Sequence, residues 1–176
     1  MPQSTKTIKT AIHNALTEKG FIITFEGKNG YYLIRNNKDF KTISLQLVIS
    51  SSVDISRQSH EGNEIYSMNE LKLHVPIGEP SPDFYIMALE NAGADHPEFI
   101  IISMITLCEK LIDLGIAWKR HVELCFIFYP DGKVFDITSL SWEGRWYLLR
   151  KGINGRLADH SVYDYSDWLN NWDVLN

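Results

Sequence analysis

Glu70 and Lys72 flank a single leucine, Asp54 precedes them across a fifteen-residue spacer, and Glu64 falls inside that spacer. Residues two apart on a strand project from one face, so a strand here would point Glu70 and Lys72 the same way. Converging carboxylates can hold a hard divalent cation such as Mg²⁺, and a neighbouring ammonium can orient or activate an attacking water. The chemistry implied is metal-dependent hydrolysis at Asp54, Glu64, Glu70 and Lys72. It requires that Glu70 to Val75 form a strand beside Asp54, with the carboxylates no more than roughly 8 Å apart. The competing reading is a short amphipathic element with solvated charges, since Glu-x-Lys recurs by chance in a chain with 22% charged residues.

A second set of residues suggests binding. Trp146, Tyr163, Tyr165, Trp168 and Trp172 lie in a tail that also carries Asp159, Asp164, Asp167 and Asp173. Aromatic side chains are enriched at protein interfaces, and acids around them suit a basic partner. Closure of the core by a C-terminal helix uses the same tryptophans equally well. Arg145, Arg150 and Lys151 around Trp146 could stack on bases, but a hairpin packed on a sheet explains them more simply.

Other groups point away from chemistry. Asp95, His96 and Glu98 surround Pro97 as in a turn, without a second nearby histidine to complete a metal site. Cys108 and Cys125 sit in apolar surroundings and read as buried free thiols. Glycine-rich nucleotide loops, Walker patterns and a G-x-S-x-G elbow are absent, so no cofactor is expected apart from Mg²⁺ in the hydrolytic reading.

The 176 residues, 44% of them hydrophobic, suffice for one domain with a real core. No apolar run is long enough to span a membrane, and MPQSTKTIKT lacks the apolar centre of a signal peptide, so a cytoplasmic protein is expected. The net charge of −5 disfavours a protein that coats nucleic acid. Residues 1–60 hold eight basic and four acidic side chains, and the rest hold nine basic and eighteen acidic. This asymmetry could orient the molecule on a charged partner.

The elements that must position these residues follow from periodicity. Ser4 caps a helix whose Ile8, Ile12 and Leu16 form a stripe ended by Gly20. Three strands follow, Phe21 to Phe25, Tyr31 to Arg35 and Thr42 to Ile49, joined by tight turns. In the third, Ile43, Leu45, Leu47 and Ile49 alternate with Ser44, Gln46, Val48 and Ser50. Ser51 to Glu64 reads as a polar loop, and Tyr66 to Val75 fits a short helix or a strand. Asp83 to Leu89 and Phe99 to Ile102 are buried-type strands. Ser103 caps a helix to Leu114 with Ile105, Leu107, Cys108, Leu111 and Ile112 buried. His121 to Tyr129 and Lys133 to Thr138 form a hairpin around Pro130-Asp131-Gly132. Ser166 caps a final short helix, DWLNNWDVL. The expected fold is α/β (α+β), with a central mixed sheet of about five or more strands and flanking helices. Residues 5–114 form the core of a single domain, and 115–176 extend it with a hairpin and a short helix.

The order helix, strand, strand, strand, then DFYIMAL, EFIIIS and a further helix, resembles the restriction-endonuclease-like PD-(D/E)XK fold. That resemblance implies an Asp on the second strand and Glu or Gln, an apolar residue and Lys on the third, which together hold a divalent metal and activate water. Laid on this chain, GYYL puts Tyr32 at the Asp position, while SLQLVISSS puts Gln46 at the Gln position and Val48 at the Lys position. Tyrosine and valine supply neither the carboxylate nor the cation. A non-catalytic binding or accessory protein, possibly of a defence or counter-defence system, is therefore expected, with another protein as its partner. A small Mg²⁺-dependent nuclease built on Glu70 and Lys72 is the first alternative. The second is an acidic immunity or inhibitor protein that meets a basic toxin or nuclease.

Overall fold

The computed structural model describes residues 4–27, 30–59, 62–74, 81–90, 95–116, 121–129, 132–141, 143–144 and 163–176, with the backbone alone for 53–59 and 62–66. Helix α1 (Thr5–Glu18) begins where Ser4 Oγ accepts the Thr7 N–H at 3.2 Å. Ile8, Ile12 and Leu16 are all buried, as their four-residue spacing requires. The chain leaves the helix through Gly20, whose φ of +81° favours glycine.

Three antiparallel strands follow, β1 (Phe21–Glu26), β2 (Tyr31–Asn36) and β3 (Thr42–Ile49). The chain then crosses into a second sheet as a long hairpin, β4 (Ser51–Ser59) and β5 (Gly62–His74). It returns as β6 (Phe84–Leu89), parallel to β3, and β7 (Glu98–Ser103), antiparallel to β6. Helix α2 (Met104–Asp113) precedes β8 (His121–Phe128), which pairs with β5, and β9 (Val134–Asp136), which pairs with β8. The result is a mixed five-stranded sheet, β1-β2-β3-β6-β7, and a four-stranded sheet, β4-β5-β8-β9. The α+β class and the central mixed sheet with helices agree with the expectation.

Two cores share the first sheet. On one face α1 packs on Tyr32, Ile34, Ile43, Leu45, Ile86 and Ile101. On the other, Tyr85, Met87, Ile100 and Ile102 meet Leu71, Leu73, Leu124 and Phe126 of the second sheet, together with Leu107 and Leu111 of α2. The C-terminal part belongs to the same cores: Trp172 and Leu175 join the α1 side and Tyr165 the side between the sheets. A third, smaller cluster lies on the outer face of the second sheet, around Cys125, Ile127, Tyr129, Phe135 and Ile137.

Three expectations are corrected. Ser51 to Glu64 is not a loop: it forms β4 and the start of β5, with backbone pairing unbroken from Ser51↔Glu70 to Ser59↔Gly62. Pairing to a long partner strand overrides the polar composition. The last segment is not one helix but two 3-10 turns, Ser166–Trp168 and Trp172–Leu175. Between them Asn170, at φ 52°, donates its N–H to Phe99 O at 2.6 Å and accepts the Phe99 N–H through its side chain at 2.9 Å. Sealing the edge strand β7 thus prevails over helix propagation. On α2, Ser103 caps as expected, but Ile105 and Ile112 are 72% and 62% exposed, and Lys110 takes a place on the buried face.

Candidate functional site

The outer face of the second sheet carries a groove of about 580 Å³, lined by Ile49, Ser50, Ser51, Glu70 to Lys72, Glu123 to Cys125 and Thr138. It opens where the chain passes from β3 to β4, so residues of both sheets line it. The register sets its polar floor: Ser51 and Cys125 flank Glu70 on either side, and Glu123 stands opposite Lys72. Directly opposed residues share a face, so Glu70, Lys72 and Glu123 project together into the groove. Lys72 Nζ lies 3.6 Å from Glu123 Oε1, with the two side chains 85% and 77% exposed. Beneath them Leu71 and Leu124 are buried on the inner face, which fixes the strands.

The expected hydrolytic residues are only partly brought together. Glu70 and Lys72 do lie on a strand and point the same way. Asp54 pairs with Ser67, three residues along β5 from Glu70, or about 10 Å of strand. Glu64 lies on β5 itself, six residues from Glu70, or about 20 Å. The carboxylate closest to Glu70 and Lys72 by register is Glu123, which the spacing in sequence did not single out. Alternation in HVELCFIF could have found it, because Glu123 lies between Val122 and Leu124, both inward-facing. Among the described residues no three His, Cys, Asp or Glu side chains form a metal-binding group.

The other register separates its own residues. Tyr32 pairs with Leu45, and Tyr31 with Gln46, so position 32 projects toward α1 while 46 and 48 project away from it. Tyr32 is fully buried, its hydroxyl 3.5 Å from Glu26 Oε1. Burial, reinforced by the Glu26 charge, pushes that hydroxyl up to about 12. Even an aspartate at 32 would face the opposite side of the sheet from Gln46 and Val48. Glu26 is itself held below the usual carboxylate range, chiefly by Lys9, whose Nζ lies 2.6 Å away, and His13 Nε2 approaches it at 3.2 Å. This small polar cluster closes the rim where α1 meets β1.

The expected aromatic binding residues divide by depth. Tyr165 is fully buried and Trp172 is 8% exposed, so neither can meet a partner without opening the core. Trp172 packs edge-on against Phe99 at 5.5 Å. Tyr165 and the half-buried Trp168 enclose the Lys110 ammonium, at 4.5 and 4.6 Å from the two ring centres. Lys110 Nζ also donates to Asp164 O at 3.0 Å, and burial lowers its pKa. Tyr163 is half-buried against the outer cluster, and Trp146 lies outside the described residues.

Behind the groove wall, Cys125 N–H donates to Thr138 Oγ1 at 2.8 Å, and Thr138 N–H donates to Asp136 Oδ1 at 2.8 Å. Asp136 is fully buried, and its desolvation lifts the carboxyl to about 6 against the pull of the Thr138 hydrogen bonds. Burial and the Asp136 charge raise the Tyr165 hydroxyl in turn. No disulfide joins Cys108 and Cys125. No helix among the described residues is long and apolar enough to cross a membrane.

Comparison with protein families, with curated proteins and with solved structures finds no match. The groove and its chemistry therefore stand on their own geometry.

Proposed function

We propose that the protein works by binding rather than by catalysis, with the groove on the second sheet receiving a basic segment of a partner protein. The observation that carries this reading is the juxtaposition of Glu70 and Glu123 around Lys72 on one open strand face. Two carboxylates around one ammonium leave a net negative floor, and the exposed Ile49 at 40% offers an apolar margin beside it. That combination suits a lysine or arginine side chain with its aliphatic stem. The net charge of −5 would favour association with such a basic partner.

The same geometry speaks against hydrolysis. An ammonium that orients an attacking water must itself be held in a fixed position. Lys72 is instead 85% exposed, and its contact with Glu123 is long. The restriction-endonuclease-like resemblance is consistent with a scaffold whose positions 32 and 48 serve packing. A role as an accessory subunit, or as an immunity protein against a basic toxin, falls within this reading.

Incubation with Mg²⁺ and linear, supercoiled or single-stranded DNA tests it. The expected result is no cleavage above that of the Glu70→Ala/Lys72→Ala variant. Mg²⁺-dependent cleavage lost in that variant would establish the nuclease alternative instead.

A further inference from the structure

One strand pair beyond the groove, His74 and His121 stand directly opposite each other on β5 and β8. Both are exposed, and their ring centres lie 5.1 Å apart at an interplanar angle of 46°. We propose that this pair binds a divalent transition-metal cation of the Zn²⁺, Ni²⁺ or Cu²⁺ class, using one imidazole from each strand.

The spacing fits the chemistry. An imidazole nitrogen ligates Zn²⁺ at about 2.0–2.1 Å, and two such ligands at a tetrahedral angle place their ring centres roughly 5 Å apart. The observed pair therefore needs rotation about its side-chain bonds, not movement of the backbone. The backbone itself is fixed on both strands. Leu73 and Val122 anchor the neighbouring positions in the core, at 0% and 4% exposure, and Tyr85 Oη donates to His74 O at 3.1 Å from beneath.

The ligand set selects the metal class. Two nitrogen ligands favour borderline cations over Mg²⁺ and Ca²⁺, which demand oxygen. Glu123 lies two residues from His121 on the same face and opposite Lys72. It forms no three-residue metal-binding group with the two histidines, so the imidazole pair supplies both protein ligands. The remaining coordination positions face solvent, as in an open site. Binding across the strands would tie β5 to β8 beside the groove, independently of whether the groove holds a partner.

Calorimetric titration of the full chain with ZnCl₂ and NiCl₂, with MgCl₂ as control, tests the site. A Cys108→Ser/Cys125→Ser background removes thiol ligands. One ion per chain is expected, with affinity reduced about tenfold or more by His74→Ala or by His121→Ala and unchanged by His96→Ala. Frozen-solution spectra of the Cu²⁺ form should show coupling to two imidazole nitrogens, and to one in either single variant. Circular dichroism confirms that the exposed substitutions leave the fold intact. Absence of saturable Zn²⁺ and Ni²⁺ binding, or binding retained in the double histidine variant, would overturn the proposal.

Discussion

Asn69 pairs with the backbone of Glu90 as a neighbouring strand would, accepting the Glu90 N–H through Oδ1 at 2.8 Å and donating Nδ2–H to Glu90 O at 2.9 Å. The side chain is fully buried where β5 passes the end of β6, and Oδ1 also accepts the Ser50 hydroxyl at 2.8 Å. A side chain of one sheet thereby completes the hydrogen bonding of the other. Ser52 adds a hydroxyl bond to the Glu90 carboxylate.

Replacing Asn69 with Ala removes both bonds to Glu90 and the bond from Ser50 at a fully buried position, at a cost of about 1–3 kcal/mol. Urea denaturation should show the loss as a lower midpoint. A midpoint within error of the unsubstituted protein would contradict the role assigned to Asn69.

Asp136 makes stability depend on pH in a stated direction. Its carboxyl is raised from 3.8 to about 6, so the folded state holds the proton more tightly than the unfolded chain does. The resulting stabilisation is fully present below about pH 4 and is lost as pH rises through about 6, an effect on the order of 3 kcal/mol. Asp136→Asn keeps an acceptor for Thr138 N–H and removes the titration. Its unfolding free energy should lack this decline between pH 4 and pH 6 when both proteins are measured by denaturant titration. Equal slopes in the two proteins would exclude Asp136 as the source.

The two faces of α2 should respond differently. Ile105→Glu and Ile112→Lys change exposed positions and should shift stability by no more than about 0.5 kcal/mol. Leu107→Ala empties a fully buried position and should cost about 2–5 kcal/mol. Thermal melts of the three variants would show whether the helix is rotated as described, since the opposite rotation would make Ile105→Glu the most damaging.

Gly30 immediately precedes β2 at φ +76°, and a Cβ there would lie 2.9 Å from Leu47 Cβ and 3.0 Å from Leu47 O. Both the backbone conformation and the close approach to β3 exclude a side chain. Gly30→Ala should lower stability by about 1–3 kcal/mol, read from the midpoint of chemical denaturation. Gly132→Ala meets the φ penalty alone, with nothing within 4 Å, and should cost less.

The elements legible in the sequence are those whose burial obeys one simple period. Ile8, Ile12 and Leu16 mark one face of α1, and Ile43, Leu45 and Leu47 mark one face of β3. What escapes is set by partners distant in the chain. Ser51 to Glu64 has loop composition, yet β5 draws it into a strand. DWLNNWDVL has helical spacing, but Asn170 finds the open edge at Phe99. Lys110 falls at the position of a buried residue, beside Leu107 and Leu111, and becomes tolerable there only because Tyr165 and Trp168, some fifty residues later, enclose its charge. The groove was half visible: Glu70 and Lys72 announce themselves by spacing, whereas Glu123 joins them only through the β5–β8 register.

The central claim is that Glu70 and Glu123 present a binding surface for a basic partner segment. Its most direct test places a photo-crosslinking amino acid at position 51, an exposed groove residue beside Glu70, in cells of the source organism, with position 38, on an exposed turn of the first sheet, as control. The expected result is a discrete protein adduct from position 51 whose linked peptide is rich in Lys or Arg, absent from position 38 and lost when Glu70→Lys and Glu123→Lys are added. Adducts of equal yield from both positions, or an adduct from position 51 that persists with both lysine substitutions, would contradict the account.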